Sequence, residues 1–185
     1  MPQDIGPIEI LFFAMIAFIL IAVGIYSYYF IRAMVSKDAP YVGSFNSQLN
    51  LMKEKLKLDT DTTLLDLGCG DGKALRVFAK HHGIKKCIGY DINLFAILRG
   101  KILNKVHRQK NIKLQHKNFS KAEGDIQKAD YIYLYLFPKQ MKQLEETIKK
   151  EKKSDCVIVA NTFQFSDRNP SEIITNGKDK IYLYK

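Results

Sequence analysis

The chain has 185 residues, a formal net charge of +10 and three cysteines. That length allows one domain of ordinary size with an appendage. Cys69, Cys87 and Cys156 lack any C-x-x-C spacing, which excludes a disulfide frame, fits reduced thiols in a cytosolic compartment and leaves no metal expected.

Residues 1–9 form a short tail. Residues 10–31 then carry no charged side chain and are almost wholly apolar. As a helix this run spans roughly 33 Å, enough for a hydrocarbon core of about 30 Å, so a transmembrane helix is expected. A cleaved signal peptide fits poorly, because no Lys or Arg precedes the run. All 29 Lys and Arg follow it, so the positive-inside rule puts the amino terminus outside and the rest in the cytoplasm, or in an organelle's matrix. Residues 32–43 read as a juxtamembrane linker and residues 44–185 as the domain. The domain's positive excess suits an anionic lipid leaflet or an acidic partner. Its lysines are dispersed rather than gathered in a basic-aromatic stripe, so nucleic acid is not the expected partner. Lys149, Lys150, Lys152 and Lys153 are the densest group and are read as basic residues at a helix end.

Ser44 or Asn46 is expected to cap a helix through Leu49, Met52 and Leu56. Thr63–Leu67 reads as a first strand, buried on both faces. It runs into Gly68-Cys69-Gly70-Asp71-Gly72, whose glycines permit a tight turn and bring backbone N–H groups near a ligand. A helix over 72–82, a strand over 86–91 and a helix over 94–107 follow. The second strand ends in Asp91, where a carboxylate can accept both hydroxyls of a ribose. A third strand is expected over 112–116, a central one over 131–137 stopped by Pro138, and a helix through Met141, Leu144 and Ile148. A fifth strand over 157–161 and a hairpin of 172–175 with 181–184 complete the chain. The alternation implies an α/β fold with a mostly parallel sheet, its nucleoside crevice at the carboxyl edge.

The dinucleotide fingerprint spaces its glycines to seat a pyrophosphate on a helix N-terminus. Here the third glycine comes one residue early, and Asp66 and Asp71 flank the loop. Carboxylates there would repel a pyrophosphate. They suit a ligand bearing an ammonium and a sulfonium, which describes S-adenosyl-L-methionine. The segment resembles motif I of class I S-adenosylmethionine-dependent methyltransferases, with Asp91 in the place of their ribose-binding acid. The resemblance implies their Rossmann-like sheet, in which the terminal hairpin supplies an antiparallel strand. It implies cofactor contacts from Asp66, Gly68, Cys69, Gly70, Asp71, Gly72, Asp91 and Ile92.

Base-amine methyltransferases carry an Asn/Asp-Pro-Pro-Tyr/Phe stretch after the fourth strand, whereas this chain has Tyr135-Leu136-Phe137-Pro138. Nucleobase amino-methylation is therefore disfavoured. Taken with the amino-terminal span, Pro40-Tyr41-Val42-Gly43-Ser44, Gly89-Tyr90-Asp91-Ile92-Asn93 and the closing Gly177–Tyr184, the chain resembles the small membrane-anchored protein-lysine methyltransferases of mitochondria. Those enzymes modify the ATP synthase c-subunit and the adenine nucleotide translocase, and they have prokaryotic relatives. The family's Gly-Asp after the third strand is replaced by Lys117-Asn118, which gives the adenine contact to Asn118 and the backbone of Phe119. Its loop after the fifth strand is replaced by Phe163–Arg168, expected to help shape the acceptor channel. That channel is assigned to Tyr41, Tyr135, Phe137 and Pro138, with no residue assigned as acid or base. Partners implied are the lipid bilayer and a membrane-associated protein substrate. A methyltransferase for a lipid or small lipophilic acceptor, and a non-catalytic binding protein, remain open at this point.

Overall fold

The computed structural model describes residues 6–35 and 44–185. The chain divides into two units, Met1–Val42 and Gly43–Lys185. The first contains helix α1 (Pro7–Val35), of which Pro7–Phe30 is long and apolar enough to cross a membrane, with none of it buried against protein. The helix begins before the uncharged run and continues past it. Glu9 lies in its first turn and accepts a hydrogen bond from the Gly6 N–H at 3.0 Å, an acid at the positive end of the helix dipole.

The second unit is a seven-stranded sheet in the order β3-β2-β1-β4-β5-β7-β6. Its strands are β1 (Thr63–Leu67), β2 (Lys86–Asp91), β3 (Ile112–His116), β4 (Tyr131–Leu134), β5 (Val157–Asn161), β6 (Glu172–Thr175) and β7 (Lys180–Tyr184). The first five are parallel, and β7 runs antiparallel between β5 and β6. The helices are α2 (Asn46–Lys55), α3 (Lys73–His82), α4 (Leu94–Val106), the single turn α5 (Glu123–Ile126) and α6 (Pro138–Glu151). This is the mostly parallel class I methyltransferase sheet with its carboxyl-terminal hairpin that the sequence predicts.

Alternation along each strand feeds two cores. Leu64, Cys87, Tyr133 and Val159 face one side with Leu49, Met52, Leu75, Phe78 and Ile97. Leu65, Leu67, Ile132, Leu134 and Ile158 face the other, against Met141, Leu144 and Ile148 of α6. Because both faces are covered, β1 is buried at all five positions and its sequence shows no polar alternation.

Three boundaries differ from expectation, each for a local reason. β4 stops at Leu134 because its partner Leu67 is the last residue of β1, and the chain turns away at Gly68 (φ 90°). α3 starts at Lys73 because Gly72 is left-handed (φ 77°) and precedes the helix. Ser44 does not cap α2. Phe45 holds the cap position, and its N–H donates to Gln48 Oε1 at 3.4 Å. Of the four clustered lysines, Lys149 and Lys150 do lie in the last turn of α6, while Lys153 pairs with Asp130.

Helix α4 crosses the loop after β1 at Gly100, where an added Cβ would overlap the Asp71 carbonyl oxygen and sit 2.5 Å from Leu114 Cδ1. Helix propensity alone favours Gly100→Ala by about 1 kcal/mol. Overpacking against a backbone oxygen instead predicts a net loss of about 1–3 kcal/mol, read by urea denaturation, and a stabilised variant would show that this close approach is wrong.

Candidate active site

The site is built where β1 and β2 end side by side. Gly68, Gly70 and Gly72 have φ of 90°, 56° and 77°, a curvature that L side chains rarely adopt. The loop hangs on β2, because the N–H groups of Gly68 and Cys69 both donate to the Tyr90 carbonyl at 2.8 and 3.0 Å. The Gly70 N–H donates to Asp91 Oδ2 at 2.7 Å, and the Gly72 N–H closes a turn onto the Cys69 carbonyl at 2.8 Å. These four amides, expected to point at a ligand, are thus consumed within the protein. What the loop offers is a bare, tightly curved backbone rather than an anion-binding nest.

Asp91 also accepts from the Asn93 N–H at 2.7 Å through Oδ1, while Asn93 Oδ1 caps α4 by accepting from the Ala96 N–H. Asp91 therefore joins the glycine loop to the start of α4. Each of its oxygens keeps a second lone pair for a hydroxyl. Ile92, the next residue, is exposed beside it, and its carbonyl meets His116 Nε2 at 2.9 Å.

The two acids flanking the loop have different environments. Asp71 is buried but satisfied. It accepts from Arg76 Nη2 at 3.1 Å and from the Lys73 N–H at 3.0 Å, and Arg99 Nε lies at 3.8 Å. Its charge is spent on joining α3 and α4. Asp66 is 2% exposed, and its carboxylate makes no hydrogen bond or ion pair with any described residue. Burial raises its carboxyl well above the ordinary range, and the nearby Asp91 charge raises it further. A buried carboxylate without a cation is costly, and an ammonium brought next to it would remove that cost. The chemistry of the donor set thus fits a cationic amino-acid tail and disfavours a phosphate.

At the expected adenine contact, Asn118 accepts from the Ser120 N–H at 2.9 Å and begins a single 3-10 turn, Phe119–Lys121. Its side-chain oxygen is therefore already engaged. Phe119 packs partly buried against the second core. Cys69 is buried with Sγ close to Gly89, and burial pushes its thiol well up, as it pushes Cys87 up to about 12. These thiols are packing groups rather than nucleophiles. Among the described residues, no group of three or more His, Cys, Asp or Glu is placed to hold a metal ion.

Of the acceptor-channel residues, Tyr41 lies outside the described residues, as do Pro40, Val42 and Gly43 of its motif. Tyr135 and Phe137 are half-buried beyond the end of β4, and both meet Phe163. The Tyr135 and Phe163 rings stack at 6.4 Å and 21°, and those of Phe137 and Phe163 lie 5.5 Å apart at 38°. Pro138 is exposed as the first residue of α6.

Sequence reasoning missed a buried polar cluster on the same side. Ser44 Oγ and Tyr133 OH lie 2.9 Å apart, and Asn161 Nδ2 donates to Tyr133 OH and to Gln48 Oε1, each at 3.0 Å. Gln48 Nε2 donates to Thr162 Oγ1 at 3.1 Å, and Thr162 is left-handed (φ 69°). Burial raises the Tyr133 phenol far above neutral pH, so it keeps its proton and cannot serve as a base there. The available signal was Asn161, which ends a strand otherwise made of aliphatic residues.

The model of the ANTKMT methyltransferase domain matches residues 66–172. A protein-lysine N-methyltransferase from Saccharolobus islandicus (strain REY15A) is 30% identical over 152 residues, covering 78% of this chain and 92% of its own length. Among solved structures, an RNA methyltransferase from Salinibacter ruber in complex with S-adenosyl-L-homocysteine superposes with a TM-score of 0.71 at 22% identity, over 77% of this chain and 92% of that one. An S-adenosylmethionine-dependent methyltransferase from Thiobacillus denitrificans, in complex with the same product, gives 0.57 at 17% identity, over 77% and 58%. These two share the fold, and the family match and the Saccharolobus relative go further. The chain belongs to the ANTKMT methyltransferase domain family and is an S-adenosylmethionine-dependent methyltransferase.

Proposed function

We propose that this chain is a protein-lysine N-methyltransferase held at a membrane by α1 and acting on a membrane-associated protein. In this reading, its amino terminus lies outside and its catalytic domain faces the cytoplasm or matrix. The single observation supporting it is a buried Asp66 whose carboxylate has no cation among the described residues, in a chain similar along most of its length to a protein-lysine N-methyltransferase. The anchor rests on the length and apolarity of Pro7–Phe30 and on the absence of Lys and Arg before it.

Bound S-adenosylmethionine supplies a methyl group already activated by its sulfonium. The chain supplies position. Asp66 takes the donor's ammonium, Asp91 its ribose hydroxyls, and the curved backbone of Gly68, Gly70 and Gly72 allows close approach. Ile92, Asn118 and Phe119 border the adenine, while Cys69 and Asp71 shape the loop from behind. Alignment and exclusion of water account for most of the acceleration, since an in-line displacement needs no strong acid. Tyr135, Phe137 and Phe163, with Tyr41 and Pro138, form the acceptor wall. An apolar wall favours the neutral amine of an incoming lysine over its ammonium, and the neutral amine is the form that reacts.

Asp66→Asn separates stability from binding. Because burial raises the Asp66 carboxyl, its ionised form is penalised in the ligand-free fold. Its contribution to stability is complete below the unfolded value of about 4 and is lost as pH rises through the folded value. Thermal melting of ligand-free Asp66→Asn should therefore lie above that of the parent at pH 8, the gap closing toward acid. Calorimetry should show S-adenosylmethionine affinity reduced roughly 10- to 100-fold. Undiminished affinity would remove Asp66 from the site.

Membranes containing the full chain, incubated with radiolabelled S-adenosylmethionine, should place label in a protein band, on lysine after hydrolysis. Label in the organic phase would make the acceptor a lipid, and no label would end the catalytic reading.

A further inference from the structure

Helix α4 is held on the sheet by only one side. Ile97, Gly100 and Asn104 are its buried positions. On the opposite side Leu98, Ile102 and Val106 follow one another at four-residue steps and are 47, 64 and 68% exposed. Three large aliphatic side chains in a row on a surface helix are unusual, because single scattered ones are the norm. Nothing in the fold of this unit explains them.

Their surroundings identify what they fit. Arg99 lies along one flank of the row at helical spacing, and Lys101 and Lys105 lie along the other. From 92 to 122 the sequence holds eight Lys and Arg and no Asp or Glu, although acids are spread through the rest of the domain. Beside the row, between the end of α4 and β3, a groove of about 550 Å³ is lined by Lys101, Lys105, Arg108 and Lys110. Since β3 is the edge of the sheet, this basic region forms one margin of the domain.

An aliphatic row with cationic margins is the pattern of helices that lie in the headgroup plane, aliphatic side chains down and basic ones against phosphates. RNA would account for the charge, and Phe95 stands on this face one turn before Leu98, but one aromatic among three aliphatic side chains is a poor stacking platform for single-stranded bases. A protein partner would account for the row but not for eight Lys and Arg without one Asp or Glu between 92 and 122. We propose that the outward face of α4 is a docking surface for an anionic bilayer, with Leu98, Ile102 and Val106 entering the interface and the adjoining basic groove taking a lipid phosphate headgroup. The proposal deepens the membrane reading above and rests on it in one respect, the tether that keeps the domain near the surface at high effective concentration. The consequence is orientation. The carboxyl end of β2, with Asp91, leads directly into α4, so docking this helix fixes the crevice close to the headgroup plane, where a membrane protein presents its lysines.

The sequence contains no tryptophan, so one introduced indole reports alone. Full-length Ile102→Trp is reconstituted in brominated phosphatidylcholine vesicles, with and without phosphatidylglycerol. Ile173→Trp, on the exposed side of β6, serves as the reference. The expected result is co-flotation of both variants in both lipids. The indole at position 102 should be blue-shifted and strongly quenched only when phosphatidylglycerol is present, and the indole at position 173 should not change. Adding Lys101→Glu and Lys105→Glu to Ile102→Trp should lower the quenched fraction by at least about tenfold. Co-flotation with an unquenched, water-like indole at position 102 would overturn the docking surface while leaving the anchor standing. An indole there that is blue-shifted but unquenched would mean a second copy covers the row, which also overturns it. Equal quenching in the two variants does the same, and failure to co-float overturns docking and anchor together.

Discussion

The arrangement depends on a carboxylate left without a cation in the middle of a buried sheet. Asp66 occupies a position in β1 that its neighbours fill with leucine, and burial there penalises its ionised form. Such a group either takes up a proton or gains a cation from outside the fold. The neighbouring loop has already given its amides to Tyr90 and Asp91, so it cannot relieve the charge. The same geometry that hangs the loop on β2 therefore leaves this acid without an amide from the loop. Asp71, at the far side of the loop, marks the contrast, because Arg76 and Arg99 make it a structural acid.

Aromatic packing and a polar cluster build the other wall. Tyr135 and Phe137 lie past the end of β4, free of the ladder, and Phe163 comes from the connection after β5 to meet both. Beneath them, Tyr133 and Asn161 hold Ser44 and Gln48, so the start of α2 is fastened at the ends of two central strands. Three distant stretches of chain, 44–48, 133–137 and 161–163, are thus joined through these contacts.

That division explains what can be read from residues alone. The glycine loop, Asp66 and Asp91 are legible because their meaning is local: three positions of left-handed backbone and two acids at strand ends. Strand identities follow from short apolar runs between turns, and the hairpin from Asn176-Gly177. What is not legible requires knowing who stands opposite. Asp71 and Asp66 look alike in one dimension, and only the approach of Arg76 and Arg99 separates them. Strand β4 is shorter than its apolar run suggests because its limit is set by β1 turning away. Ser44 resembles a cap until Tyr133, 89 residues later, provides a partner. The outward row on α4 is equally hidden, since this helix carries aliphatic residues on opposite sides and its sequence does not say which side is buried.

The placement of β7 has a consequence for how such a chain is made. It lies between β5 and β6 although it follows both in sequence. Until residues 180–184 have emerged from the ribosome, the flank of β5 stays an unpaired edge and β6 has no neighbour to zip against. Nascent molecules close to one another would pass through that interval with matching open edges. Intermolecular strand addition is the hazard this topology carries, and prompt pairing of β7 once it is made is what limits it.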